Sequence, residues 1–493
     1  FPDKKLTATL KRDPAISAYL PYIQALKRRA DRVLSAGEEQ LLSLAGDNLW
    51  AQIDLNELPS AMEKTYLALT SELILPTVVT PEGKDVQLSF TNYGVLRRSP
   101  DRNMRKQTVT AMLSTMKHYE NTFAAALGEQ AKFSWFLSRA RGYTSVLEAY
   151  LDKDDIDPAI YTNLIRTVRA HVEPLHKYVA LRKTVLELDD LHLYDMSVPM
   201  VASQSAEMDY NQGSALILRA LAPLGEEYIN LLKFGMDPAN GWIDVYPAKD
   251  KERGAYSSAA YGVHPYVLMN FQNDLDDVST LAHEYGHALH THYASSSQSY
   301  QLFRYVPLLA EIASTCNEAL LARYVIDHAS SKDEKIRQLT ELLETIRTTI
   351  YRQTMFAEFE LKLHQLAESG EAINAEVLNS IYIDLVRSYF GPNYTIDEHD
   401  GIEWALVPHF YYKYYVYTYA TGLAAGIAFA DRILHEGPEA RDAYLNMLKA
   451  GCSQPPLELV RQAGVDLTNP QAIESALKWF DEVVDELSEM MVD

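Results

Sequence analysis

Residues 281–294 read LAHEYGHALHTHYA, with four histidines and one glutamate inside ten consecutive positions. Leu281, Ala282, Ala288 and Leu289 favour a helix, and Asp277 or Ser279 is placed to cap its start. In a helix, residues four apart stand one turn above each other on the same side. His283 and His287 can therefore reach a single metal ion together. Glu284 is turned roughly 100° further round the axis. That puts its carboxylate beside the ion, in position to take a proton from a water there. His290 falls on the metal-facing side and His292 does not. Gly286 costs about 1 kcal/mol relative to Ala within a helix, so its missing side chain implies close approach of another backbone or a ligand. H-E-x-x-H is short enough to occur by chance, and a polar helix face is the alternative. The density of histidine on an otherwise apolar helix favours metal.

A catalytic zinc takes three protein ligands and keeps a fourth position open. Two histidines leave one ligand to find. Downstream, PLLAEIASTCNEALLARYVIDHA (307–329) reads as a helix entered at Pro307 and carrying Glu311 and Glu318. Seven residues is about two turns, so both carboxylates point the same way. Leu308, Leu309, Ile312, Ala313, Cys316, Ala319 and Leu320 surround them, which marks the helix as buried, and buried carboxylates need partners. One glutamate can bind the ion while the other accepts from a ligand histidine; spacing does not say which does which. His290 is a rival third ligand, weakened because three histidines on one helix surround an ion poorly.

The rest of the chain bounds the class. Its 493 residues allow two or three domains or one large helical body. With 47% hydrophobic and 23% charged residues it is globular in composition. No apolar run approaches the ~18 residues of a membrane span. The net charge of −22 argues against nucleic acid as a partner. Two cysteines, Cys316 and Cys452, are too few for a disulfide framework or a cysteine zinc site. The chain begins with Phe and shows no signal-peptide pattern, so a processed, truncated or incompletely numbered start and a cytoplasmic location are expected.

Helical periodicity dominates. Residues 103–142 and 333–370 each read as one long helix, the second stopped by Gly370. The stretches at 155–168 and 468–480 place Pro near a first turn after a capping residue. Strand candidates are DVQLSF (85–90), GWIDVY (241–246) and YVLMNF (266–271). Residues 247–265, rich in Gly, Ser and charge, read as a loop. The expected fold is mainly α, with a small β element beside the H-E-x-x-H helix and no sharp domain boundary.

HEYGHALHTHYA followed by LLAEIASTCNEALL resembles the M3 family of zinc metallopeptidases, and within it the oligoendopeptidase F branch. HPYVLMNFQNDLDDVSTLAHEYGHALH, upstream, and PHFYYKYYVYTYATG (408–422) resemble the same branch. The similarity covers most of the chain from about residue 100, and the start more weakly. The resemblance implies an N-terminal helical region over 1–100 and a catalytic domain over 101–493. It implies two helical halves around a deep channel that excludes folded proteins. By position it makes His283, His287 and Glu311 the ligands of one zinc ion, Glu284 the general base and Glu318 the partner of a ligand histidine. It also implies that family members carry a longer N-terminal region than this chain shows.

HFYYKYYVYTYATG holds six tyrosines in nine residues. Aromatic stripes usually pack in cores, but so many hydroxyls need partners, and a wet cleft supplies them. Amide hydrolysis needs a donor for the developing oxyanion, worth about 3 kcal/mol of barrier. The resemblance assigns that role to His409 and to tyrosines of this run, here Tyr415 and Tyr417. It also makes 266–271 the edge on which a substrate backbone pairs, with Asn270 and Phe271 as substrate-binding residues. The function expected is endopeptidase cleavage of short, unfolded oligopeptides. A metallo-carboxypeptidase or dipeptidyl carboxypeptidase of the same architecture is the rival enzyme. A non-catalytic peptide-binding protein is the rival of another class, disfavoured by the intact H-E-x-x-H.

Overall fold

The computed structural model describes residues 19–492 except 48, 51–60, 202–206 and 253, and before residue 19 only positions 8, 9, 12 and 17. Much of the start of the expected N-terminal region thus lies outside the described residues. Helices carry the architecture, as the periodicity predicts. Two short β elements are added: β1 (Thr77–Val79) with β2 (Asp85–Gln87), and a three-stranded sheet of β3 (Ile243–Asp244), β4 (Tyr256–Ser258) and β5 (Tyr266–Leu268). Buried side chains from Leu42 to Leu487 form one hydrophobic cluster, which includes residues on both sides of position 100.

The first long helical stretch is two helices, α1 (Arg102–His118) and α2 (Glu120–Ala140), broken at Tyr119 with no Pro or Gly to mark it. α1 starts where Asp101 accepts the Met104 N–H at 2.6 Å. The H-E-x-x-H helix is α3 (Leu275–Ser297), and its cap is Asp274, which accepts the Asp277 N–H at 2.8 Å. It therefore begins a turn earlier than caps at Asp277 or Ser279 would set it. The glutamate helix is α4 (Pro307–Asp327). The second long stretch comprises α5 (Lys332–Ile346), a π turn at Arg347–Tyr351, and α6 (Arg352–Ser369), which ends at a left-handed Gly370. Last come α7 (Tyr417–Glu436), which follows the tyrosine run, and α8 (Gln471–Val492).

Sheet order is β3-β5-β4, β3 parallel and β4 antiparallel to β5. Two expectations change here. The stretch 247–265 is not all loop, because it supplies β4. And 266–271 is not an edge: the Val267, Met269 and Phe271 N–H groups bond to Trp242, Asp244 and Val245 on one side, while β4 occupies the other. β3 and β4 are the two edge strands, and β4 is the one that packs on α3.

Three helices position the site by unusually close approach. A Cβ added to Gly286 of α3 would lie 2.5 Å from Ser314 Cα of α4. On the opposite side of α4, a Cβ on Gly422 of α7 would lie 2.6 Å from Glu311 Cβ, and one on Gly426 would lie 2.3 Å from Thr315 Oγ1. Thr315 Oγ1 donates to the Glu311 carbonyl (2.6 Å) and lies 3.0 Å from the Gly422 carbonyl, bridging the pair. Glycine here serves packing distance rather than backbone torsion. Gly426→Ala should therefore destabilise the fold by about 1–3 kcal/mol, the usual cost of overpacking. Urea unfolding measures it, and an unchanged midpoint would mean that α4 and α7 separate freely.

Candidate metal centre

α3 places His283 and His287 one turn apart, with their Nε2 atoms 3.1 Å from each other. α4 brings Glu311 Oε2 to 4.0 Å from His283 Nε2. Ligand atoms of His283, His287 and Glu311 all fall within 4.8 Å of one another, the one such group of three among the described residues. Two nitrogens each ~2.1 Å from a tetrahedral zinc ion stand about 3.4 Å apart, so the spacing and the two-nitrogen, one-carboxylate donor set both fit zinc.

The outer nitrogens explain why the inner ones are free. Glu318 Oε2 lies 3.3 Å from His283 Nδ1, which donates to it. The His287 ring is bonded to the Ala310 carbonyl. Each histidine thus presents an unprotonated Nε2 to the centre once neutral. Burial would depress the His283 imidazolium, but Glu318 outweighs it, and Glu311 and Glu284 add to the effect, up to about 9. His287 goes far the other way, through burial first and then the neighbouring His283. Burial also raises Glu311, against the pull of His283.

Glu284 points beside this group rather than into it. Burial pushes its carboxyl up to about 7, with His283 opposing and Glu311 and Glu318 reinforcing. One of its oxygens, Oε2, is buried with no hydrogen-bond partner. The Ser257 N–H of β4 donates to the carboxylate, which ties the free edge of the sheet to the centre. These groups open onto a cavity of about 580 Å³ between α3, α4, α7, β4 and the π turn, whose lining includes Ser257, Tyr305, Thr349, Tyr415 and Tyr419. Glu318, Thr345 and Leu423 also line a neighbouring, separate cavity, together with Asp276 and Ser279.

Some expected site residues lie elsewhere. Tyr417 is buried against Tyr161, ring centroids 5.3 Å apart, and does not line the cavity. The tyrosine that does is Tyr419, four residues beyond Tyr415, with its ring edge-on to Tyr415 at 5.3 Å and its hydroxyl 3.4 Å from His409 Nε2. His409 thus stands behind Tyr419 rather than at the metal group. An i, i+4 reading of the run from Tyr415 would have found Tyr419. Asn270 does not face the cavity; its amide donates to the Glu252 and Gly254 carbonyls and pins the turn before β4. Phe271 is buried edge-on against Tyr210. His290 is no third ligand: it is buried, stacked on Tyr305 at 3.6 Å, and burial holds it neutral, down to about 3.

Residues 95–479 match the family model described as Peptidase family M3, and residues 1–50 match that described as Oligopeptidase F. Oligopeptidase PepF of Bacillus subtilis (strain 168) is 39% identical over 491 residues, 99% of this chain and 72% of that protein. Group B oligopeptidase PepB of Streptococcus agalactiae is 35% identical, over 97% of this chain and 78% of its own. The crystal structure of oligoendopeptidase-F from Enterococcus faecium superposes with a TM-score of 0.81 at 32% identity, covering 99% of this chain and 81% of that one.

The two glutamates should separate in metal binding. Glu311→Ala removes a donor and should abolish stoichiometric zinc binding in competition with a chelator. Glu318→Ala leaves the donors and should weaken binding by about 10- to 100-fold. The reverse order would exchange their roles.

Proposed function

This chain belongs to peptidase family M3 and is a metalloendopeptidase; we propose that zinc is its metal, that His283, His287 and Glu311 hold one ion, and that oligopeptides are its substrates. Zinc bound there supplies Lewis acidity, which makes a water acidic and polarises a carbonyl. The protein's own groups do the rest. Glu284, poised near neutrality with one oxygen unpartnered, takes the proton from the attacking water. It then passes that proton to the leaving amine nitrogen. Tyr415 and Tyr419, across the cavity, donate to the oxygen that gains charge as the carbonyl becomes tetrahedral. His409 orients the Tyr419 hydroxyl. Glu318 holds the His283 ring.

The single observation that carries this reading is the convergence of His283, His287 and Glu311 with Glu284 beside them, one of its carboxylate oxygens unpartnered. Substrate backbone pairs along the free edge of β4, whose Ser257 N–H already faces Glu284. Main-chain pairing reads no side chain, which suits broad peptide specificity. A cavity walled by helices and β4 suits an extended chain better than a folded domain. A carboxypeptidase needs a cation for the free C-terminus, and no Lys or Arg occurs among the described residues lining the cavity. Both cysteines are free thiols, which supports a reducing, cytoplasmic setting. Among the described residues no helix is long and apolar enough to cross a membrane.

Glu284→Gln should retain one zinc per chain and lose kcat by about 100- to 10,000-fold, the range for a general acid–base group. Turnover within tenfold of the parent would remove Glu284 from the role. Peptides blocked at both ends should be cut as readily as free ones, as mass spectrometry of the products would show. Cleavage of intact casein at the rate of a nonapeptide would contradict an enclosed site.

A further inference from the structure

The turn that delivers Tyr415 to the cavity is strained. Lys413 and Tyr414 both have φ of 53°, two consecutive left-handed residues, neither of them glycine. L side chains avoid that region because Cβ crowds the following carbonyl. Such a turn persists only where its surroundings hold it. The holding contact is Glu360 of α6, whose Oε1 accepts the Tyr414 backbone N–H at 2.5 Å. Glu360 is wholly buried. Its second oxygen lies 3.4 Å from the Tyr161 hydroxyl, which itself donates to the Ala357 carbonyl at 2.6 Å. The Tyr414 ring is wedged edge-on against Tyr161 (5.1 Å) and over His364 (5.0 Å).

We propose that Glu360 is a positioning residue: by accepting the Tyr414 N–H it fixes the left-handed turn at 413–414, and the turn sets where Tyr415 and the first turn of α7, with Tyr419, enter the cavity. The chain of contact is short. Tyr414 adjoins Tyr415, α7 begins at Tyr417, and Tyr415 and Tyr419 both line the cavity while Tyr417 between them faces Tyr161. Without the clamp the turn relaxes toward ordinary torsions, and both hydroxyls lose their aim while the metal ligands on α3 and α4 are untouched. No cation pairs with Glu360 among the described residues. Burial pushes its carboxyl up to about 8, so it keeps its proton near neutrality and can donate it to Tyr161 while accepting from Tyr414. A glutamine can make the same two bonds. The groups around it are Tyr161 from the helix at 159–170, Lys413 and Tyr414 from the turn, and His364 on its own helix.

This rests on Tyr415 and Tyr419 being the oxyanion donors, so Tyr415→Phe and Tyr419→Phe are measured in parallel. Four quantities are read for each variant: kcat, KM, zinc content and the folded fraction. Glu360→Gln should keep kcat within about threefold. Glu360→Met, similar in length but unable to accept, should lower kcat by about 10- to 100-fold, below the loss expected for deleting a donor outright. Its KM should stay within about twofold and its zinc content unchanged. Adding Lys413→Gly to Glu360→Met should restore kcat at least severalfold, because glycine adopts positive φ without a clamp. Should Glu360→Met fail to fold, the double variant decides: recovered folding and kcat support the proposal, and a second failure overturns it. A parental kcat in Glu360→Met, or a loss in Glu360→Gln equal to that in Glu360→Met, also overturns it. If neither Tyr→Phe change lowers kcat by more than about threefold, it is the donor reading that falls.

Discussion

Everything at the centre depends on how near α4 lies to α3. Side-chain length sets helix separation, typically 8–10 Å between axes, and a carboxylate on one helix reaches an ion held by its neighbour only within a narrow range. Gly286 removes the side chain that would hold α4 away, and Gly422 and Gly426 do the same for α7 on its other flank. α4 is therefore clamped on both sides, with Glu311 on the line where the helices meet. Asn317 adds a fixed register, its amide bonded to the Ala282 carbonyl at 3.0 Å and its oxygen accepting from Tyr228 at 3.0 Å. The donor geometry is rigid because backbone, not flexible side chain, limits it.

That rigidity has an electrostatic cost. Three carboxylates, Glu284, Glu311 and Glu318, crowd around two imidazoles in a largely buried space. Glu284 and Glu311 are both pushed upward by burial. A buried anion without a matching cation is expensive. The arrangement is stable with its charges expressed only when positive charge enters, and the protonated His283 supplies just part of it. A site of this composition suits a metal cation. The same excess of negative charge leaves Glu284 a ready proton acceptor.

How much of this was legible depended on the kind of regularity involved. The quintet from His283 to His287, and Glu311 with Glu318, follow helical spacing, and helices this long keep their phase. The π turn at Arg347–Tyr351 was invisible within a run that reads as one helix. Strand order was invisible as well, since β3 and β5 are two and three residues long and their parallel pairing is a property of topology. So 266–271 reads as an edge when it is the centre. The tyrosine run failed for a third reason. Lys413 and Tyr414 occupy a conformation that sequence associates with glycine, which hides where α7 starts and hence which tyrosines share a face. Beyond that turn Tyr417 packs on Tyr161 while Tyr419 lines the cavity.

The free edge of β4 also bears on how this protein coexists with its own copies. An unpaired strand edge is a template for any extended chain, including a second molecule of the same kind, and exposed edges are where proteins begin to associate. Here the edge is only three residues long and is set against α3, with the Ser257 amide already engaged by Glu284. So short an edge, its middle amide already bonded, gives a second sheet little to pair with.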